Sequence, residues 1–536
     1  MVTQATSDIS GSATDRQVTA MKVCLVRGAL VSPQGSVNNE PTPPIGLAYL
    51  AGSLKAAGFE LQGVDATGQA LDRVERIPGS ELQANGISIQ EVVEQIDPAT
   101  KVVGVSAMFS HEWTYHRALM LAIKQRLPEV VLIAGGEHCT ALSEYCLRDC
   151  PAIDYIATGE GEETMTEFCR TVAGGGDPSR VAGLVYLRNG ELNRSAPRGR
   201  IRNVDEIPWP DWELFPIDPY LAENISFGAS FGRNMPIMAS RGCPYQCTFC
   251  SNAAMWTTRY SIRSPENVLA EIEKYRRKYD ITGLQFYDLT AIIKKDWIVA
   301  FCGLMAERGI RLDWSLPSGT RSEALDDEAL SWIARAGCKY LVYAPESGSA
   351  ETLKLIKKKI KLDRMEQSIR SAIRQGIVIR ANLIIGFPHE TRGQILRTLW
   401  QMIKLAWLGV DEAPLYPFQP YPGTELFAGL LQRGKVRLSD EYFETLATFS
   451  TGSLSPPRRS FCDRVGRLEL YLYRMLGLLV FTALSYLLRP QRIWRTIYNL
   501  AFTDRSATVM EQRMRDKLRH VRAALSFRRT LPAAEK

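Results

Sequence analysis

Five short apolar runs punctuate the first third of the chain, at residues 23–26, 61–64, 102–105, 131–134 and 155–157. Each is rich in Val, Ile or Leu and gives way to small or polar residues. Continuous rather than alternating runs suit strands buried on both faces of a parallel sheet. Stretches of helical length separate them, among them 45–57 and 113–126. Five such units predict an open, doubly wound α/β sheet with helices on both faces. In such sheets a ligand sits beyond the carboxyl ends of the strands, where the strand order reverses. Ser106, Gly135, Gly136, Gly159 and Glu160 follow the third to fifth strands and are candidate ligand contacts. Adjacent glycines admit a bulky ligand to the backbone, although plain turns use them too.

The apolar pattern changes near the carboxyl end. Residues 468–488 are strongly apolar but are interrupted by Glu469 and Arg474, leaving 14 uncharged residues at 475–488. That is shorter than the ~20 needed to span a bilayer. Arg489, Arg492, Trp494, Arg495 and Tyr498 follow, a mixture suited to a membrane interface. A core helix capping the rest of the fold, with a solvated basic tail, is the competing reading.

Composition narrows the class. The chain has 536 residues, 45% hydrophobic and 23% charged, which excludes disordered, collagenous and multi-span membrane proteins. Its length suggests about three domains. The net charge is +7, but residues 489–536 hold 12 Lys/Arg against 4 Asp/Glu, so the remainder is close to neutral. The excess is a local tail, and no nucleic-acid partner is expected. Eleven cysteines are too few for a disulfide scaffold and suit a reducing compartment. Residues 1–20 are polar with no apolar core, so no secretory signal is expected, and the chain is read as cytoplasmic.

Three of the cysteines carry the chemistry. Residues 240–252 read Ser-Arg-Gly-Cys-Pro-Tyr-Gln-Cys-Thr-Phe-Cys-Ser-Asn, placing Cys243, Cys247 and Cys250 at x3 and x2 spacing after a strand at 236–239. Soft thiolates at this density select Fe–S clusters, Zn or Cu(I). A structural Zn site needs a fourth ligand, and the next downstream Cys and His are distant, at Cys302 and His389. Three ligands would leave one iron of a [4Fe–4S] cluster open. Buried free cysteines are the remaining alternative.

This motif, with Phe249 before its last cysteine, resembles that of the radical S-adenosylmethionine (SAM) superfamily. The resemblance implies a partial (β/α)6 barrel whose cluster binds SAM through the open iron and cleaves it to a 5′-deoxyadenosyl radical. Strands at 236–239, 284–287, 312–315, 340–343, 378–385 and 413–416 supply the six required. On the same resemblance, Asp288 lies near the SAM amino group. Glu346, Ser347 and Gly348 match a SAM-contacting segment, and Gly386 and Glu390 match one beside the adenine. Strand carboxyl ends open on one face of a barrel, so these groups are expected to converge there.

A five-stranded domain ahead of such a barrel is similar to the cobalamin-binding subclass of the superfamily. Residues 43–51, 64–66, 135–140, 159–164 and 207–210 match its pattern. The resemblance covers roughly residues 21–427. It departs in one place: the first strand is followed by Arg27-Gly28-Ala29-Leu30-Val31, without the His that ligates cobalt in many cobalamin proteins. No axial His is therefore expected, and His138 is read as a loop or tail-contacting residue.

The expected organisation is a disordered tail at 1–20, a cobalamin-binding domain at 21–180, a linker at 181–232, a barrel at 233–430 and a helical region at 431–536. The remaining cysteines are expected to be buried hydrophobes, and Lys357-Lys358-Lys359 a solvated helix face. The resemblance implies a [4Fe–4S] cluster, SAM and cobalamin as cofactors, and a C-methyltransferase acting on an apolar, lipid or pigment-like small molecule. An electron donor such as flavodoxin or ferredoxin and peripheral contact with the inner face of the cell membrane are expected partners. A tetrapyrrole-type oxidative cyclase is the enzymatic alternative, and a non-catalytic Fe–S or corrinoid sensor the other.

Overall fold

The computed structural model describes residues 21–36, 41–290, 292–321, 324–450 and 456–518, without the side chains of 448–450. The tail expected at 1–20 and residues 519–536 of the basic segment lie outside the described residues.

The first sheet contains the five expected strands as Lys22–Arg27, Glu60–Asp65, Val102–Ser106, Val131–Gly135 and Tyr155–Ala157, all parallel and ordered 2-1-3-4-5. This is a doubly wound order whose switch point lies between the first and third strands. Asp65, Arg27, Ser106 and Gly135 are register partners, so four strand ends form one row. A hairpin, Leu184–Arg188 with Glu191–Arg194, extends the sheet antiparallel from its fifth strand. The sequence places those residues in a linker. The Asn189-Gly190 turn between them, with φ +55° and +79°, marks an edge hairpin rather than a connection. A small antiparallel sheet of Leu30–Pro33, Val74–Arg76 and Leu82–Asn85, not anticipated from the sequence, flanks the switch point.

The second sheet runs Asn234–Ile237, Gly283–Phe286, Asp313–Thr320, Cys338–Glu346, Val378–Ile385 and Leu415–Pro417, parallel and in chain order. Sequential parallel order with crossover helices is that of an incomplete (β/α)6 barrel. One apolar core runs from Val23, Leu25 and Leu47 through Tyr220 to Ile237, Phe286, Trp314 and Ile385, so the two sheets share it. The connection between them is fastened rather than loose. Tyr220 receives a hydrogen bond from Arg27 at 2.8 Å and donates one to Asp65 at 2.7 Å.

The carboxyl-terminal region is not separate either. Helix Asp440–Ser450 packs against the turn at Ser110–Glu112, the helix after it and the small antiparallel sheet, with Asp440 paired to Arg117 at 2.6 Å and Glu444 accepting from Ser80 at 2.7 Å. Helix Arg467–Leu488 is 22 residues long, so it exceeds the 14-residue uncharged stretch, and by length and composition it could cross a membrane. It instead packs beside helix Arg392–Leu408, and buried Arg474 donates to the Leu415 carbonyl at 3.1 Å. The arginines after it do not reach outward. Arg489 donates to the carbonyls of Ala406 and Trp407 at 3.0 and 3.1 Å, and Arg492 to those of Val410 and Gly409 at 3.0 and 2.6 Å. Arg495 pairs with Asp411 at 2.9 Å. These side chains satisfy the orphan carbonyls at the end of the 392–408 helix, a cap built from another element. The sequence reading of them as lipid contacts is corrected by this packing.

Replacing Arg492 with Leu should lower stability by about 3 kcal/mol, because Asp411 and two carbonyls would lose a buried cationic donor. Urea unfolding followed by far-UV circular dichroism checks this.

Candidate active site at the carboxyl ends of two sheets

The cysteine loop is an excursion held at its root. After Ile237 the chain forms a two-residue ladder, Ser240–Arg241 with Ser261–Ile262, and the loop lies between its arms. Gly242 has φ +79°, and a Cβ there would lie 2.3 Å from the Arg259 carbonyl oxygen, so only glycine fits. The loop is clipped further on: Thr248 N–H donates to Ile356 O, and Leu426 N–H to Thr248 O, both at 3.0 Å. Of the eleven cysteines, eight are buried, while Cys243, Cys247 and Cys250 retain exposure. The buried eight behave as the sequence suggests. Thr290 Oγ1 lies 3.7 Å from Cys243 Sγ. Burial pushes the Cys247 thiol up, and the cations of Lys358 and Arg321 pull it down. Among the described residues no three His, Cys, Asp or Glu side chains converge as a metal-binding group, so the thiols share a loop without forming a closed donor triangle. Donor type, loop placement and accessibility fit an Fe–S cluster.

Asp288 is fully buried and faces the root of this loop. It accepts from Ala239 N–H at 3.1 Å and from the Ser240 N–H, and from Ser240 Oγ at 2.5 Å. Burial lifts its pKa to about 6 against these bonds. Glu346 ends its strand at φ +63°, rare for a residue with a Cβ, and pairs with Lys358 at 2.8 Å, the carboxylate buried and the lysine side chain 11% exposed. Ser347 and Gly348 turn away toward helix Arg392–Leu408, where Thr398 Oγ1 meets Ser347 Oγ at 2.9 Å and accepts from Gly348 N–H at 3.1 Å. Glu390 closes its own loop by accepting from Gly386 N–H at 2.7 Å and from Phe387 N–H at 3.3 Å. Burial raises its pKa to about 7. Asp288 and Glu346 thus gather around the cysteine loop, whereas Ser347, Gly348, Gly386 and Glu390 shape the backbone beside it.

Lys358 is the residue sequence reasoning missed. The helix expected to carry the lysine run ends at Leu355, and Lys357 has φ +55°, which reverses the chain and aims Lys358 inward. Neighbouring Lys357 stays exposed, paired with Glu425. No periodicity signals an isolated left-handed residue.

The strand ends of the first sheet meet the same loop. Ser106 and Gly135 stand side by side in the row, and Ala107 N–H donates to Gly135 O at 2.8 Å. At Gly136, φ +109°, a Cβ would lie 2.7 Å from the Ala107 carbonyl oxygen. Glu137 accepts from Ser251 Oγ, one residue past Cys250. His138 is buried between Trp113 and Phe443, at ring distances of 4.8 and 5.3 Å, with Nδ1 bonded to Ser110 Oγ at 2.9 Å. Its Nε2 is buried with no hydrogen-bond partner among the described residues. Burial drives the pKa values of His138, His116 and His111 down to about 3, 4 and 4, leaving neutral rings. A row of small strand-end residues with an unpartnered imidazole nitrogen beside it fits a large polar ligand such as a corrinoid.

Glu160 has another use than the one expected. It accepts from Arg200 at 2.7 Å and Arg241 at 3.3 Å, and Glu162 accepts from Arg241 at 2.5 Å. The Arg241 guanidinium also lies 5.0 Å from the Tyr49 ring centre. All four charged side chains are at least 90% buried. Burial opposes the charges of Glu162 and Arg241, yet Glu162 is held below the usual carboxylate range and Arg241 above its ordinary value by each other. Gly159, at φ +73°, turns the chain into this clamp.

Comparison with known proteins agrees with this geometry. Residues 36–169 match the B12 binding domain and residues 237–399 the radical SAM superfamily. An uncharacterized methyltransferase of Pyrococcus horikoshii is 30% identical over 407 residues, 76% of this chain and 82% of that protein. An anaerobic magnesium-protoporphyrin IX monomethyl ester cyclase of Rubrivivax gelatinosus is 28% identical over 79% of this chain and 72% of its own. The radical SAM methyltransferase TsrM of Kitasatospora setae, solved with cobalamin and a [4Fe–4S] cluster, superposes with a TM-score of 0.59 at 17% identity, over 78% of this chain and 79% of its own. The chain belongs to the radical SAM superfamily, among the enzymes that carry an N-terminal B12-binding domain. Its cofactors are a [4Fe–4S] cluster, SAM and cobalamin, and the sensor alternative falls away.

Glu390 gives a pH signature. Its folded pKa of about 7 exceeds the ordinary 4.5, so the native state holds a proton that the unfolded chain releases. That stability is fully present below about pH 4.5 and is lost as pH rises through 7, by up to about 3 kcal/mol. Glu390→Gln should flatten this part of the stability-versus-pH curve, read by chemical unfolding at pH 5, 6, 7 and 8.

Proposed function

We propose that this enzyme is a C-methyltransferase acting on an unactivated carbon of an apolar, lipid or pigment-like small molecule. The observation that carries the reading is the meeting of two sets of strand ends at one loop. Glu137, Glu160 and Glu162 from the first sheet bond Ser251, Arg200 and Arg241 around the cysteine loop of the second. A corrinoid on the row of Ser106 and Gly135 and a cluster on Cys243, Cys247 and Cys250 would then face one space. Together, when bound, these groups supply the radical that removes a hydrogen atom and the methyl group that replaces it. The chain's own residues do the positioning. Asp288 fixes the loop root, and Lys358 presents a cation beside Cys247 that favours thiolate ligation and would attract an anionic group of a bound cofactor. The shared core and the clamp exclude water from the junction. Reduction calls for a one-electron donor of the flavodoxin or ferredoxin type. The cyclase named above keeps ring closure as the competing outcome.

Anaerobically reconstituted protein should hold one cluster, and Cys243→Ala, Cys247→Ala or Cys250→Ala should each remove its visible absorption and reduce 5′-deoxyadenosine formation to background. Products of the intact enzyme should gain CH2. A new ring and oxygen without added carbon would favour the cyclase.

Cobalamin bound to the protein should show a spectrum without a histidine ligand. His111→Ala and His116→Ala should leave it unchanged, and so should His138→Ala. A shift toward the unligated form in the His138 variant, whose Nε2 is free, would assign an axial imidazole after all.

A further inference from the structure

Helix Arg467–Leu488 buries one stripe, Leu470, Arg474, Gly477, Phe481 and Ser485. Its opposite stripe, which in a solvated helix would be polar, consists of Leu468, Leu472, Leu476, Leu479, Ala483 and Leu487. The five leucines are 53% to 78% exposed. The neighbouring helix Arg392–Leu408 contributes a second stripe, beginning at Arg392 and continuing through Leu396, Trp400 and Trp407. Arg392 pairs with Glu469 at 2.6 Å, so this stripe borders the leucine helix and the two apolar faces adjoin. Trp400 and Trp407 are 60% and 61% exposed. A helix of this length lays down about 33 Å of apolar surface, well beyond a scattered surface leucine.

The amino end of the leucine helix is basic. A shallow cleft of about 460 Å³ there is lined by Arg458, Arg459, Arg464 and Arg467 among others. Its acid, Asp463, is already bonded by Arg433 and Lys435. Arg464 and Arg467 are exposed, and no ion pair holds either among the described residues. Cations at the start of a helix oppose its dipole, so folding does not favour them there.

From this we infer that the leucine and tryptophan face is a docking surface for an anionic phospholipid bilayer, on which helix Arg467–Leu488 lies in the interface plane with Arg464 and Arg467 at the headgroups. Crossing is excluded while the helix is docked, since buried Arg474 is bonded to the barrel strand through Leu415. A protein partner of this area would form about one hydrogen bond per 100–200 Å², yet the leucine stripe offers no hydrogen-bonding side chain. Tryptophans beside an apolar helix with arginines at its end are the mixture a lipid interface selects. The contact goes beyond the proposed reaction and does not depend on it.

The test uses the full-length protein loaded with its cofactors, sedimented with phosphatidylcholine vesicles containing or lacking phosphatidylglycerol. Binding should appear with the anionic vesicles and weaken as salt rises. The triple variant Leu472→Glu, Leu476→Glu, Leu479→Glu should lower bound protein roughly tenfold or more, with its circular dichroism and cobalamin spectrum retained. Arg464→Gln with Arg467→Gln should remove the salt-sensitive part. Should the triple variant fail to fold, brominated lipids decide on the wild type: they should quench its tryptophan fluorescence, and Trp400→Phe with Trp407→Phe should diminish the quenching. Absence of binding to anionic vesicles at low salt overturns the inference. So does a wild-type dimer in analytical ultracentrifugation that the triple variant converts to monomer, which would make the face a contact between two copies of this chain.

Discussion

The structure turns on the burial of Arg241. This residue sits in the two-residue ladder that follows the first barrel strand, two positions before Cys243, and its guanidinium has almost no access to water. A buried unpaired charge costs several kcal/mol. Arg241 avoids that cost only when Glu160 and Glu162 arrive from the other sheet. Arg200 completes the balance at Glu160. Docking the sheets buries Arg241 together with both of its carboxylates, so its burial and its pairing come together. The root of the cysteine loop is thereby fixed by a domain that contributes no cysteine to it.

The same economy governs the loop itself. Asp288 holds its entry through Ala239 and Ser240, and the backbone of Ile356 and Leu426 clips its middle. Lys358 is drawn in by Glu346, and each removes the penalty of burying the other. Strained φ values at Glu346 and Lys357 mark where that pair was assembled against local preference. Such strain persists because the surrounding contacts over-determine it.

The carboxyl-terminal region divides its residues between two duties. Phe443 covers His138, and Arg489, Arg492 and Arg495 finish the end of a barrel helix. These inward contacts consume the charges nearest the apolar helix. The adjoining faces of the two helices turn leucine and tryptophan outward, with Arg464 and Arg467 exposed at the amino end of the leucine helix. The first three cations of the basic tail counted along the sequence, Arg489, Arg492 and Arg495, are therefore held inside the fold.

By itself the sequence determined the elements and their chemistry. Apolar runs marked ten of the eleven parallel strands to within two or three residues of each end, because buried strands need unbroken Val, Ile and Leu; the exception is the third barrel strand, expected at 312–315 and observed as Asp313–Thr320, where polar Ser318, Gly319 and Thr320 carry the ladder on. The cysteine spacing named the cofactor class because thiolate ligation leaves so few residue choices. Gly136 was legible as a turn glycine, but the carbonyl that demands it belongs to a distant segment, and the need for glycine at Gly242 came only from the fold. Only the tertiary structure decided the partners of the charged residues. Glu160, read as a ligand contact, forms an ion-pair clamp; Lys358 was read as solvated and its side chain is only 11% exposed; Arg492 was read as lipid-facing and is a helix cap. The reason is physical. Apolar burial and backbone periodicity are set by near neighbours along the chain, whereas the fate of a charge depends on which opposite charge or carbonyl the completed fold brings within about 3 Å of it.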